Sequence, residues 1–402
     1  SSDLQRLDEL NDFNSVVGTA SSMTLTDVDD LNLAGVTVAG GAGPLTLTVG
    51  SLTDSTANFA GAVTLAVTGD AVLDADNDFN SLAGTAANLT VNDVDGLTLA
   101  GVNVGAGAGN LILTVAGPLT DSAPNQAGAV TLNALGQTVV LDALNDFNSV
   151  DGVAASLTLT DTDDLDLAGV TVAGGAGPLT LTAGSLTDSA ANSAGALSLA
   201  VTGDAVLDAA NDFNTVAGTA ANLSINDIDS LDLAGVNVGA GDLDLTVGGD
   251  LTDSAANFAG AVTLAVTGDA VLDAANDFAS VAGTAANLTL NDIDDLDLAG
   301  VTVGAGAGDL DLTVGGNLTD SAANFAGAVT LAVTGDAVLD AANDFNTVAG
   351  TAANLTLNDI DDLDLAGVNV GAGDLDLTVG GNLTDSAANF AGAVTLAVTG
   401  DA

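Results

Sequence analysis

Six short acidic clusters are the residues in this chain best suited to chemistry: TDVDD at 26–30, NDVDG at 92–96, TDTDD at 160–164, NDIDS at 226–230, NDIDD at 291–295 and NDIDD at 358–362. Each follows an apolar–polar–apolar triplet and precedes the next apolar stroke, so each is expected to form a turn. Two carboxylates beside turn carbonyls make a suitable oxygen set for a hard cation such as Ca²⁺. The candidate ligands are Asp27 and Asp29, Asp93 and Asp95, Asp161 and Asp163, Asp227 and Asp229, Asp292 and Asp294, and Asp359 and Asp361. Alternation read with charge facing water puts Val94 or Ile293 inward, and Asp292 and Asp294 outward on one side. The spacing is not that of an EF-hand loop, and GAGAGDL at 304–310 does not match the glycine-rich calcium-binding nonapeptide. The competing reading needs no cofactor: Asp and Asn are good turn formers that keep an apolar chain in solution.

Paired carboxylates also invite comparison with acid–base hydrolysis. A catalytic pair is expected once, in a cleft built by irregular loops, whereas here every Asp pair recurs in near-copy six times. No Lys or Arg cluster stands ready to clamp a substrate. The sequence therefore reads as non-enzymatic.

Composition narrows the function further. Of 402 residues, 54 are acidic and one is basic (Arg6), with no His or Cys and a net charge of -53. All the acids but Glu9 are Asp. Without basic clusters there is no footprint for nucleic acid or anionic lipid. Without Cys there are no disulfides or thiolate metal sites, which is compatible with an oxidising exterior. Yet 48% of residues are hydrophobic, which a disordered acidic chain would not be. They are spread in short strokes, with no run near the roughly 20 residues of a membrane span, so membrane insertion is not expected.

Those strokes are organised by repeats. LTDS begins at Leu52, Leu119, Leu186, Leu251, Leu318 and Leu383, and residues 251–270, 318–337 and 383–402 are identical. Six repeats follow, at approximately 7–70, 71–137, 138–204, 205–269, 270–336 and 337–402, read as one solenoid domain over 1–402 with a possible cap or junction at 1–9. Within a repeat, triplets begin at Val262, Leu288, Leu310 and again Val329. Read as successive coils, three per repeat, these predict an all-β, right-handed parallel β-helix (β-solenoid) with three short strands per coil and about eighteen coils. Phe258 and Phe278 are expected to stack inside it, as are Phe325 and Phe345. Gln126 and Ser193 would then weaken repeats two to four by removing one partner. A rise of ~4.8 Å per coil gives a rod of about 85 Å, or one charge per ~1.6 Å, close to the ~1.7 Å of duplex DNA. Like charges stacked along such a rod would repel, and divalent cations would gather around it.

The texture LTL…LDLAGVTV…LTL…LTDS resembles the shafts of filamentous-haemagglutinin-like bacterial surface proteins and giant adhesins, across all six repeats. The resemblance implies a secreted or surface-attached bacterial fibre whose shaft spaces or polymerises. This chain departs from that pattern in its high Asp content and absence of Lys. Two functions follow as expectations: a structural extracellular shaft or filament, or a Ca²⁺-dependent adhesin module for a polysaccharide or partner cell. The expected partners are divalent cations and the chain itself, by further repeats or head-to-tail stacking, because the sequence ends at Ala402 in unbroken repeat.

Overall fold

The computed structural model describes residues 4–402, in two compact units, Ser1–Gly203 and Asp204–Ala402. Each unit is a parallel β-solenoid, with about 20 turns in the two together and, among the described residues, no helix beyond three-residue 3₁₀ turns. The strands form because Leu, Val and Ile alternate with Thr and Asp at period two, the spacing that sends one set to the core. Leu288–Asp292 and Asp309–Val314 show the pattern, with Leu288, Leu290, Leu310 and Leu312 buried and Asp311 exposed between them. Burying each such side chain contributes about 1.5–3 kcal/mol.

The register of the turns differs from the expected one. In the second unit Leu251 pairs with Ala270, Ala270 with Leu288, Leu288 with Leu310 and Leu310 with Val329. Val262 pairs with Val281 rather than stacking on Leu288. The 26-residue step between the triplets at Val262 and Leu288 is therefore more than one turn. The missed strokes are Ala270-Val271-Leu272 and the segment around Val281, where Ala and Gly dilute the apolar signal.

The repeat consequently closes on a half turn, after about three and a half turns rather than three. Leu251 belongs to the file just traced. Its counterpart Leu318 belongs to another, running from Leu296 through Leu318, Ala337, Leu355 and Leu375 to Val394. Leu383 returns to the strand stack of the first file, which runs on from Val329 through Val348 and Leu365 to Asp385, two residues beyond it. The first unit alternates in the same way: the file of Leu52 runs through Ala71, Leu89 and Leu111 to Val130, whereas Leu119 lies outside it, paired with Leu97 and Val139. Equivalent residues of successive repeats thus face opposite sides.

This register also separates the charges expected to stack. Asp297 lies between Ser280 and Thr319, Asp311 between Thr289 and Thr330, and Asp376 between Thr356 and Thr395. Hydroxyls donate to these carboxylates: Thr319 Oγ1 to Asp297 Oδ1 at 3.1 Å, and Ser254 Oγ to Asp232 Oδ2 at 2.6 Å. Repulsion within a file is reduced by interleaving.

The two-residue difference between GAGAG at 304–308 and GAG at 371–373 is absorbed at a corner. Leu288 pairs with Leu310 across the longer turn and Leu355 with Leu375 across the shorter, both in register. The extra residues form the 3₁₀ turn Gly304–Gly306, with Ala305 at φ 54. A left-handed alanine costs about 1 kcal/mol. Deleting Ala305 and Gly306 is therefore expected to leave the thermal midpoint by circular dichroism unchanged or slightly higher. A fall of several degrees would show that the longer turn packs against something.

The junction expected at 1–9 lies partly outside the described residues, as do the side chains of Arg6 and Glu9. The backbone of Leu4–Asn11 is a strand parallel to Ser22–Asp27.

Candidate functional site

The acidic turns split their carboxylates. Asp27, Asp93, Asp161, Asp227, Asp292 and Asp359 are buried, while Asp29, Asp95, Asp163, Asp229, Asp294 and Asp361 are exposed. The inward placement expected of Val94 and Ile293 is therefore reversed; both are about half exposed. The reason is strand phase. In Leu288–Asp292 the inward positions are Leu288, Leu290 and then Asp292, so Ile293 must follow outward.

Backbone donors occupy the buried carboxylate. Asp292 Oδ2 accepts the Phe278 N–H at 2.7 Å, and Oδ1 accepts the Asp294 N–H at 3.1 Å. The same pair of bonds recurs at Asp93, Asp161, Asp227 and Asp359. One carboxylate of each candidate pair thus ties two segments of backbone together while the other faces water. Among the described residues no three acidic side chains gather into a metal-binding group.

Burial pushes these carboxyls up: Asp93 to about 7, and Asp161, Asp227 and Asp292 to about 6. The adjoining Asp95, Asp163, Asp229 and Asp294 add to the rise, and the backbone N–H donors oppose it. The folded chain therefore holds protons that the unfolded chain, with Asp near 3.9, releases. Stability from this source is fully present below about pH 4 and is lost as pH rises through about 6 to 7. A difference of one between folded and unfolded pKa corresponds to about 1.4 kcal/mol. The urea midpoint is expected to be higher at pH 5 than at pH 8, and a midpoint that rises with pH would contradict these assignments.

The sequence reading missed the larger buried network, built from the Asn of NDF, the Asp of LTDS and a second Asn one turn away. Asn276 Oδ1 accepts the Asn257 N–H at 2.9 Å and Asn257 Nδ2 at 3.1 Å. Its Nδ2 donates to Asp253 Oδ2 at 2.7 Å and lies within reach of the Leu272 and Ala274 carbonyls. Asn257 Oδ1 in turn accepts the Val236 N–H at 2.8 Å. The arrangement repeats at Asn77, Asn58 and Asp54, at Asn145, Asn125 and Asp121, and at Asn343, Asn324 and Asp320. Among the described residues no buried side-chain nitrogen or oxygen lacks a partner. A visible signal existed: Asn125 and Asn192 persist where the following Phe has become Gln126 and Ser193.

The phenylalanines divide along the same line. Phe79, Phe147, Phe213, Phe278 and Phe345 are fully buried, whereas Phe59 and Phe258 are 37% exposed. The expected Phe258–Phe278 and Phe325–Phe345 stacks are absent, because Ala259 pairs with Phe278 and Ala326 with Phe345. Gln126 and Ser193 therefore replace a peripheral side chain, and the expected weakness of repeats two to four loses its cause.

A family model described as repeats of unknown function (DUF5649) matches residues 86–153, 154–220, 220–285, 285–352 and 352–402. The chain belongs to the DUF5649 repeat family. No curated protein and no solved structure matches it. In DUF5649 terms the matched unit is a solenoid repeat, and the buried Asp and Asn groups above recur within it.

Proposed function

We propose that this chain is a non-catalytic structural spacer, an extracellular shaft on a bacterial surface or in its matrix. The observation supporting this most directly is that the buried polar residues are spent on joining adjacent turns, within a repeat and across the boundary to the next. Asn276, Asp253 and Asp292 all hold neighbouring turns together. The outward rows of Thr, Ser and Asp repeat uniformly. Among the described residues no helix is long and apolar enough to cross a membrane. Fold and repetition are suited to length and stiffness rather than to a single reactive centre. Immunogold electron microscopy of the producing cells tests the proposal. Label on uniform fibres outside the cell envelope is the expected result, and label confined to the cytoplasm would overturn it.

A further inference from the structure

In three repeats the register leaves a phenylalanine outside the core, in a row between two polar side chains. Phe258 is paired with Asn237 on the turn before it and with Asp277 on the turn after. Thr37, Phe59 and Asp78 form the same row, as do Thr302, Phe325 and Asp344. Phe59 and Phe258 are exposed, Phe325 is half-buried, and none of the six flanking residues is buried. At Phe59 and Phe325 the neighbouring corner is glycine, Gly41 and Gly306, where even a Cβ would stop 3.8 Å from the phenylalanine Cβ. No side chain from that position lies over the ring.

Repeat two shows what such a row can hold. There Gln126 stands at the phenylalanine position, and its amide joins both flanks. Asn103 Nδ2 donates to Gln126 Oε1 at 2.6 Å, and Gln126 Nε2 donates to Asp146 Oδ2 at 3.3 Å. The flanks are therefore within hydrogen-bond reach of a polar group seated between them. Where phenylalanine stands instead, that bridge is missing. Asn237 Oδ1 accepts the Gly239 N–H at 3.0 Å, but its Nδ2 is left over. Among the described residues the Thr37 and Thr302 hydroxyls and the carboxylates of Asp78, Asp277 and Asp344 likewise make no hydrogen bond to protein.

We propose that these rows bind neutral pyranose units of a polysaccharide, one face of the sugar packed on the phenylalanine and its hydroxyls held by the flanks. The C–H face of a pyranose complements the negative face of the aromatic ring. Its hydroxyls can accept from Asn237 Nδ2 or a Thr hydroxyl and donate to Asp277. Flanks two strand spacings apart, ~9.6 Å, are spanned by one such ring and two hydrogen bonds of ~2.8 Å. A purely apolar ligand would leave Asn237 and Asp277 desolvated without partners. An added peptide strand would find the backbone of these rows already paired on both sides. The net charge of -53 repels uronate-rich polymers and leaves neutral ones. The surface is open, so one contact is weak and a polymer gains by meeting several rows.

Affinity electrophoresis of the full chain through gels holding β-glucan, galactomannan, amylose or alginate tests the proposal. At least one of the three neutral polymers should retard the chain more than alginate does, and a chelator should change nothing. One comparison chain carries Phe59→Gln, Phe258→Gln and Phe325→Gln, the residue that repeat two already holds at Gln126. Its apparent affinity should fall about tenfold or more. A second carries Asp78→Ala, Asp277→Ala and Asp344→Ala, which keeps the rings and removes carboxylates that hold nothing in the solenoid. It should bind about threefold more weakly or worse. No retardation by any neutral polymer, or equal retardation of all three chains, would overturn the proposal. So would tighter binding of alginate, or loss of binding on chelation, which would assign the contact to a bound cation. Cellular location plays no part in this assay, so its outcome is separate from that of the labelling experiment.

Discussion

Asn276→Ala is expected to be among the most damaging single substitutions in the second unit, lowering stability by more than about 4 kcal/mol. Alanine removes the acceptor of the Asn257 N–H and the donor to Asp253. It also strips hydrogen bonds from the Leu272 and Ala274 carbonyls. These groups are enclosed, so water does not replace the lost partners freely, and each orphaned group costs about 1–3 kcal/mol. Asp253 would then be a buried carboxylate without its closest side-chain donor. Because solenoid turns are stabilised chiefly by their neighbours, the loss should appear as local opening around residues 250–280. Amide hydrogen exchange is the suitable measurement. Protection retained throughout that segment would show that the network is dispensable.

The second large effect distinguishes two phenylalanines twenty residues apart. Phe278→Ala should cost about 3–5 kcal/mol, the usual range for emptying a fully buried aromatic site. Phe258→Ser should cost less than about 1 kcal/mol, because Phe258 is already part-exposed and repeat three carries Ser193 at the same position. Urea denaturation of the two variants would check the contrast. Equal losses would mean that the aromatic pair stacks in the core after all.

These two substitutions mark what could and could not be read from the residues. Leu288-Thr289-Leu290 and Leu310-Asp311-Leu312 declare their strands openly, since period-two alternation with turn residues between is a direct consequence of pleating. Their mutual pairing was legible too. The turn length was not, because Ala270 and Val281 occupy core positions beside smaller residues than the Leu triplets do. The inward Asp292 was obscured by the assumption that charge faces water, although counting on from Leu288 and Leu290 reaches it in phase. The Asn network was hidden for a different reason. Asn is an ordinary turn former, and only its persistence beside Gln126 and Ser193 separates a structural asparagine from an incidental one.

The half-turn register carries most of these conclusions: the opposite facing of successive repeats, the interleaving of Asp with hydroxyls and the placing of Phe258 outside. Cysteine pairs test it directly in a chain that has no native Cys. Thr263 and Ala282 are partners in adjacent turns, where strands lie about 4.8 Å apart, within reach of a disulfide. Thr263→Cys with Ala282→Cys should therefore cross-link under mild oxidation, as a loop closure detectable by proteolysis and mass spectrometry. Thr263→Cys with Thr289→Cys should remain reduced under the same conditions. Cross-linking of the 263–289 pair, with the 263–282 pair left free, would mean that each repeat makes three whole turns and would contradict the register described above.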